Sequence, residues 1–252
     1  MAVAVSLLYP DLLHEAAPGV VAAFTPRTGG VSEAPFASLN LSVSTGDDEA
    51  HVKENRRRAL APLGFTPDAM AIAGQVHGTR VQAARAPGFF AATDGLVTDT
   101  PGVLLSFTAA DCAIVLLADP VAGVVGGCHA GWRGAAGGIV AETVQQLAVL
   151  GAEPSRCGAY ISPCISVEHF EVGEEVAAQF DAAHVHRPPG APRPFVDLKG
   201  ALQHQLTAAG LAADAVEVAP QCTFAATDTF FSHRAEHGET GRMMAFIGMR
   251  PV

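Results

Sequence analysis

Residues 94–134, DGLVTDTPGVLLSFTAADCAIVLLADPVAGVVGGCHAGWRG, constrain the fold more than any other stretch of the chain. Short runs rich in Val, Leu and Ile follow one another there, cut apart by Asp, Pro and Gly, and this pattern predicts at least three consecutive strands. The longest apolar part, 102–132, is divided by Asp111, Asp119 and Pro120 into pieces too short to span a bilayer. In the next segment, 135–154, the period changes. Ile139, Val140, Val144, Leu147 and Ala148 recur at helical spacing, so the strands run into a helix.

The remaining segments supply flanking elements. GVVAAFTPRTGGVS (19–32) reads as a strand running into a Gly-Gly turn, and AMAIAGQVHGTRVQAA (69–84) as a strand with a polar kink at Gln75–Arg80. DDEAHVKENRRRALAPLGF (47–65) has an acidic start, a basic middle and a glycine stop, the layout of a helix that complements its own dipole. Further helices are expected at 172–183 and 198–211, and strands near 215–218 and 243–249. VHRPPGAPRPFVD (185–197), with four prolines, is expected to be an exposed loop. The start, MAVAVSLLYPDLLHEA, lacks a basic n-region and is broken by Pro10 and Asp11, so it reads as an opening strand and turn rather than a signal peptide. Together these predict one α+β domain over 1–252, with mixed sheets flanked by helices.

Hydrophobic residues make up 49% of the 252, but many are alanine and aromatics are only 6%, so the core is built from Val, Leu, Ala and Phe. A formal charge of −10 argues against nucleic acid or an anionic membrane as partner, and any bound anion must be held by a few placed arginines. The five cysteines (112, 128, 157, 164 and 222) are odd in number and contain no CxxC, which makes a disulfide framework unexpected in a chain that reads as cytoplasmic.

Three potential metal ligands stand in polar breaks between strands: His77 in QVHG, Cys112 in TAADC and His129 in GGCHAGWRG. Their separations of 35 and 17 residues match no zinc-finger spacing. Their setting favours a site, because each lies at the end of an apolar strand among small residues, where short loops of one sheet can converge. Two imidazoles and a thiolate form a borderline-soft set suited to zinc, and three ligands leave a fourth position open for water or substrate. The alternative is hydrogen-bonded turn histidines and a buried thiol. Arg27, Arg133 and Arg242 each sit beside glycine, which lets a guanidinium approach phosphate or carboxylate closely, or else bond turn carbonyls. Asn40, Asp94 and Asp111 occupy similarly tight settings. Trp132 can stack on a base or fill the core. There is no GxGxxG, Walker, GxSxG or HExxH signature.

The succession PRTGGVSEAPFASLNLS, ENRRR, QVHG, DGLVT, TAADC, HAGWRG, ISPCI, FEVGEEV and TGRMMAFIGM resembles the polyphenol oxidase (laccase)-domain family, from about residue 20 to the C-terminus. Its bacterial members are purine nucleoside phosphorylases. The resemblance implies a zinc site on His77, Cys112 and His129. It also implies phosphorolysis of adenosine, inosine, guanosine and methylthioadenosine at ribose C1′, with deamination of adenosine at C6. The fold implied is an α+β sandwich similar to the catalytic domain of cytotoxic necrotizing factor, which uses a Cys–His pair. On this reading Cys112, His129 and Asp111 are catalytic, with Asp111 or a metal-bound water as proton donor to the leaving purine. Arg27, Asn40, Asp94, Arg133 and Arg242 then bind nucleoside and phosphate. His233 stands where the family usually has tyrosine and is given no role. Copper chemistry is disfavoured: a multicopper oxidase relies largely on His-x-His pairs, and this chain has one, His184/His186, although Cu(II) can compete for an N/S site. Two rival readings use the same residues. One is a metal-free Cys112–His129 hydrolase acting on an amide, including in cell-wall precursor editing, and the other is a non-catalytic binding protein.

Overall fold

A computed structural model describes residues 5–16 and 19–251. In chain order its strands are β1 (Val20–Phe24), β2 (Met70–Gly74), β3 (Val81–Ala83), β4 (Gly88–Ala91), β5 (Gly95–Thr98), β6 (Leu104–Ala109) and β7 (Ala113–Asp119). They continue with β8 (Val124–Ala130), β9 (Gly158–Ile161), β10 (Val185–His186), β11 (Phe195–Val196), β12 (Val216–Val218) and β13 (Met243–Met249). The helices are α1 (Asp11–Ala16), α2 (Glu49–Leu60), α3 (Trp132–Ala136), α4 (Ile139–Val149), α5 (Glu174–Ala177) and α6 (Leu198–Ala208).

Two mixed sheets pack face to face. The first runs β1-β13-β6-β2-β4 and the second β12-β9-β7-β8-β5-β3. Ala71, Phe107 and Ile247 of the first sheet meet Leu96, Ile114, Leu116 and Tyr160 of the second in a shared core. The outer face of the second sheet is covered by α4 and α6 through Ile139, Val140, Val144, Leu147, Leu202 and Leu206. On the outer face of the first, Leu39, Leu41 and the α2 residues Ala59 and Leu60 pack over Met244 and Phe246. Each large apolar side chain removed from water in these layers stabilises the fold by about 1.5–3 kcal/mol. The result is a helix–sheet–sheet–helix sandwich, the α+β architecture expected.

Several boundaries differ from the sequence reading, each for a physical reason. The stretch 94–134 holds four strands, β5 to β8, and they do not stay together: β6 belongs to the first sheet, the others to the second. The single strand expected over 69–84 is two, β2 and β3, in different sheets. The helix expected over 135–154 begins at Ile139, because Gly138 adopts a left-handed φ of 85° that separates it from α3. The helix expected over 172–183 shortens to α5 followed by a 3-10 turn at Ala182–His184. The ends of the proline loop pair as the β10–β11 hairpin. Of the expected opening strand, residues 1–4 lie outside the described residues, Leu8 makes a lone bridge to Phe24, and the turn is the helix α1. The buried strand β9 and the edge strand β4 were not expected from the sequence.

Candidate functional site

Two sheet-to-sheet crossovers and one strand end deliver the three candidate ligands to the same end of the sandwich. The chain leaves the first sheet at Gly74 and enters the second at Val81, and His77 lies in that crossover. It leaves the first sheet again at Ala109 and enters the second at Ala113, with Cys112 the last residue of that crossover. His129 is the penultimate residue of β8, paired with Ile114 of β7. The donor atoms of His77, Cys112 and His129 all lie within 4.8 Å of one another. His77 and Asp111 hold left-handed φ values of 61° and 81°, a conformation that costs a non-glycine residue about 1–3 kcal/mol and persists where surrounding contacts impose it.

Asp94 supplies much of that imposition. Its buried carboxylate accepts the backbone N–H groups of Val76 (3.1 Å), His77 (3.0 Å) and Gly78 (2.8 Å), which shapes the first crossover around it. It also lies 2.9 Å from His129 Nδ1. A carboxylate at Nδ1 assigns the proton to that nitrogen and leaves the Nε2 lone pair for the cluster. Burial alone would raise the Asp94 pKa, but the hydrogen bonds from His129, Gly78 and Val76 outweigh it and hold the carboxyl below the usual range. Gln75 fastens the same crossover to β6, donating to Thr108 O (2.8 Å) and accepting from Thr108 N (2.7 Å). The second crossover is braced by Asp111, whose carboxylate accepts from Thr223 Oγ1 (2.6 Å), Ser232 Oγ (3.0 Å) and Arg234 N (2.7 Å).

The cysteines divide by environment. Burial opposes ionisation of Cys112, but the adjacent His129 and His77 outweigh it and bring the thiol down to about 6. Burial likewise opposes charge on His129, and the neighbouring Cys112 and Asp94 raise it to about 9. The pair therefore favours thiolate beside imidazolium, with a proton held where a cation would sit. Cys128 and Cys164 are pushed up to about 12 and Cys157 to about 11 by burial, the behaviour of inert core thiols. All five are free.

The donor set fits a metal ion. One thiolate and two imidazoles around a single zinc sit roughly 3.6 Å apart, so closing the cluster needs movements of about 1 Å. The surroundings leave that room because residue 131 is glycine. A Cβ there would lie 2.8 Å from Cys112 Sγ and 3.3 Å from His77 Cδ2.

In front of His77 and Cys112 opens a cavity of about 250 Å³. Trp132, Ile165, Phe170 and Leu198 give it apolar walls, and Arg133, His233 and Arg234 line it as well. Arg133 is exposed, and its guanidinium lies 4.3 Å from the Trp132 ring centre. Among the described residues that guanidinium has no hydrogen-bond or ion-pair partner, so it is free to meet an anion.

The other expected binding residues are placed differently. Arg27 faces a separate cavity of about 630 Å³. Its guanidinium is taken by Ala37 O (3.1 Å), Thr227 O (2.7 Å) and Glu236 (3.1 Å) and stacks on Phe231. Arg242 donates to Thr240 O and Gly241 O. Asn40 is buried, donating to Ser42 O, Thr45 and Asp47 and accepting from Ser42 N and Arg242 N. Asn40 and Arg242 thus spend these groups on the protein's own backbone and turns. Asp94 orients His129 rather than facing the cavity. Asp111 lines the cavity, but three donors already occupy its oxygens, so its geometry is that of a brace. Phe170 and Arg234 are not singled out by the sequence, Gln75 only as the start of the polar kink and His233 only as a departure from the family's tyrosine, and Arg234 has no glycine neighbour to mark it.

A family model described as multi-copper polyphenol oxidoreductase laccase matches residues 21–250. The purine nucleoside phosphorylase of Deinococcus radiodurans is 48% identical over 231 residues, covering 90% of this chain and 88% of that protein. Purine nucleoside phosphorylase YlmD of Geobacillus stearothermophilus is 38% identical, with 92% and 91% covered. Among solved structures, the hypothetical protein YfiH of Bacillus licheniformis superposes with a TM-score of 0.89 at 32% identity, covering 97% of each chain. The structure of YlmD gives 0.86 at 35% identity and 94% coverage of each.

Proposed function

The chain belongs to the multi-copper polyphenol oxidoreductase laccase family, and within it we propose a zinc-dependent purine nucleoside phosphorylase. It would cleave adenosine, inosine, guanosine and methylthioadenosine at ribose C1′ with phosphate, and deaminate adenosine at C6. The names of its relatives support an enzyme of this kind. The observation that carries the reading is the convergence of His77, Cys112 and His129 beside a cavity that offers both a flat apolar wall and a guanidinium unpaired among the described residues.

His77, Cys112 and His129 would hold the zinc, which when bound supplies Lewis acidity to a substrate oxygen or nitrogen. Trp132, Phe170, Ile165 and Leu198 would bind the purine and exclude water, strengthening every polar contact in the cavity. Arg133 would hold phosphate against the ribose, and such positioning contributes much of the rate in a two-substrate reaction. The departing purine must take up a proton. With the Asp111 oxygens committed to Thr223, Ser232 and Arg234, His233 is the titratable side chain on the cavity wall left to donate it. Copper fits the donor set by affinity. Multicopper oxidation fits poorly, because this is the one cluster of three or more such donors found among the described residues.

The order Asp94–His129–Cys112 (carboxylate, imidazole, thiol) favours one second reading, a metal-free cysteine hydrolase acting on an amide. Metal analysis of wild type and Cys112→Ala separates the two, with about one zinc per chain fewer in the variant expected on the first reading and equal content on the second. Inosine and adenosine are then incubated with and without phosphate, using wild type and Cys112→Ala. Loss of zinc together with phosphorolysis and deamination in the variant supports the phosphorylase. A variant that keeps the full wild-type zinc content while losing amide hydrolysis sinks it.

A further inference from the structure

The chain's one His-x-His pair, His184/His186, takes no part in the site above. His184 does not act with His186. It closes the 3-10 turn Ala182–His184, and its ring meets His204 of α6, with Nε2 and Nδ1 3.2 Å apart. The rings are 5.5 Å apart between centres and tilted by 53°. Two neutral imidazoles reach this distance when one N–H donates to the other ring, a bond that water replaces readily at a solvent-open position. An ion about 2.0–2.1 Å from each nitrogen sets the same separation at an N–metal–N angle of about 100°, close to tetrahedral.

Gln205, the next residue on α6, ties the same helix to α3. Its Nε2 is fixed on Ala135 O at 2.9 Å, while its Oε1 is buried without a hydrogen-bond partner, the one such side-chain atom found among the described residues. Buried acceptors are rarely left orphaned. His184, His204 and Gln205 line one cavity of about 240 Å³, together with Asp181. A hydrated cation brings what this cavity lacks, an electrophile for two ring nitrogens.

We propose that His184 and His204 hold a second divalent transition-metal ion of the zinc or copper class, with water completing its coordination. The ion would fasten α6 to the turn that precedes the proline loop. Through the Gln205–Ala135 bond it would also bear on α3, which carries Trp132 and Arg133. The proposal stands independently of what the first cluster binds.

Chelator-stripped full-length protein titrated with zinc chloride, followed by calorimetry, tests it in four forms. Wild type is expected to take up two ions, and Cys112→Ala and His204→Ala one each. His204 is exposed, so its replacement leaves the fold intact, and His186→Ala controls for a neighbouring surface imidazole. The second site should weaken at least tenfold in His204→Ala and remain unchanged in His186→Ala. If wild type takes up a single ion that His204→Ala abolishes and Cys112→Ala leaves alone, the present proposal stands and zinc at the first cluster falls. Zinc uptake indifferent to His204→Ala, or weakened equally by His186→Ala, overturns it.

Discussion

Replacing Asp94 by asparagine exchanges one oxygen for an NH₂ group and probes the whole cluster. The carboxylate receives four donors, two on each oxygen: Val76 N and Gly78 N on Oδ2, His77 N and His129 Nδ1 on Oδ1. An amide NH₂ in the Oδ2 position would face two backbone donors that cannot change. In the Oδ1 position it faces His77 N and a histidine that can shift its proton from Nδ1 to Nε2, so this orientation costs less. That shift puts the proton on the nitrogen aimed at Cys112 and removes a lone pair from the cluster. The orphaned His77 N–H and the lost charged acceptor together cost about 3 kcal/mol of stability, which for a chain of this size lowers Tm by roughly 6–12 °C. Zinc affinity should fall at the upper end of the roughly 10–100-fold range for loss of a carboxylate behind a ligating histidine. The measurements are a competition titration against a chromophoric zinc chelator and thermal unfolding of the metal-free protein. Asp119→Asn serves as the control. That carboxylate is equally buried and hydrogen-bonded, but it ends β7 opposite the Cys112 end, so it should lower Tm and leave zinc affinity alone. If Asp94→Asn binds zinc within threefold of wild type, the carboxylate does not set the tautomer and the reasoning fails.

Gly131→Ala should weaken zinc binding at least tenfold with a small stability change, since its φ of −64° suits alanine and the new Cβ would crowd only Cys112 Sγ and His77; unchanged affinity in the chelator assay would show that the cradle is not needed. Asn40→Ala should cost about 3 kcal/mol in denaturant unfolding by orphaning buried donors and acceptors, yet leave the KM for phosphate unchanged, whereas a raised KM would restore Asn40 as an anion ligand. Asp119 predicts an acid limit. Burial raises its pKa, but Arg156 and the backbone N–H groups of Glu153, Ala122 and Val121 lower it from 3.8 to about 2. A carboxyl depressed on folding stabilises the fold above its unfolded pKa, here by about 2 kcal/mol, and that contribution disappears as pH falls from about 4 to about 2. Urea midpoints measured across that window should drop in wild type, and the drop should be smaller in Arg156→Ala.

What the sequence made legible is local. Gln75–Arg80 reads as a polar kink, and it is one, but that it carries the chain from one sheet to the other depends on β2 pairing with β6 and β3 with β5. The rule that an arginine beside glycine approaches an anion picks Arg27, Arg133 and Arg242 alike. Only Arg133 lines the cavity in front of Cys112, because the other two use their glycine turns to reach backbone carbonyls. Arg234 arrives at the same cavity through its backbone bond to Asp111, 123 residues away in sequence, and no nearby pattern announces it. His77, Cys112 and His129 could be picked out because each is a polar residue ending an apolar run. Their meeting point follows from the register of β7 on β8, which places Cys112 one residue before the Ala113–Ala130 pair and His129 opposite Ile114.

That register also explains why three donors from distant segments can be held with so little else between them. His129 is fixed by the ladder of the second sheet, while His77 and Cys112 belong to links whose other ends lie in the first. Their separation is therefore set by how the two sheets pack on Phe107, Ile114 and Leu116 as much as by any bond near the cluster. Asp94 resolves the remaining freedom of one link and Asp111 that of the other. Asp94 does so by accepting the backbone N–H groups of its link, and Asp111 by accepting Arg234 N and the Thr223 and Ser232 hydroxyls. A site built this way tolerates exchange of the residues that face its cavity and is intolerant of change in the two buried carboxylates behind it. The same frame can then present different cavity walls to different substrates while keeping the three donors in place.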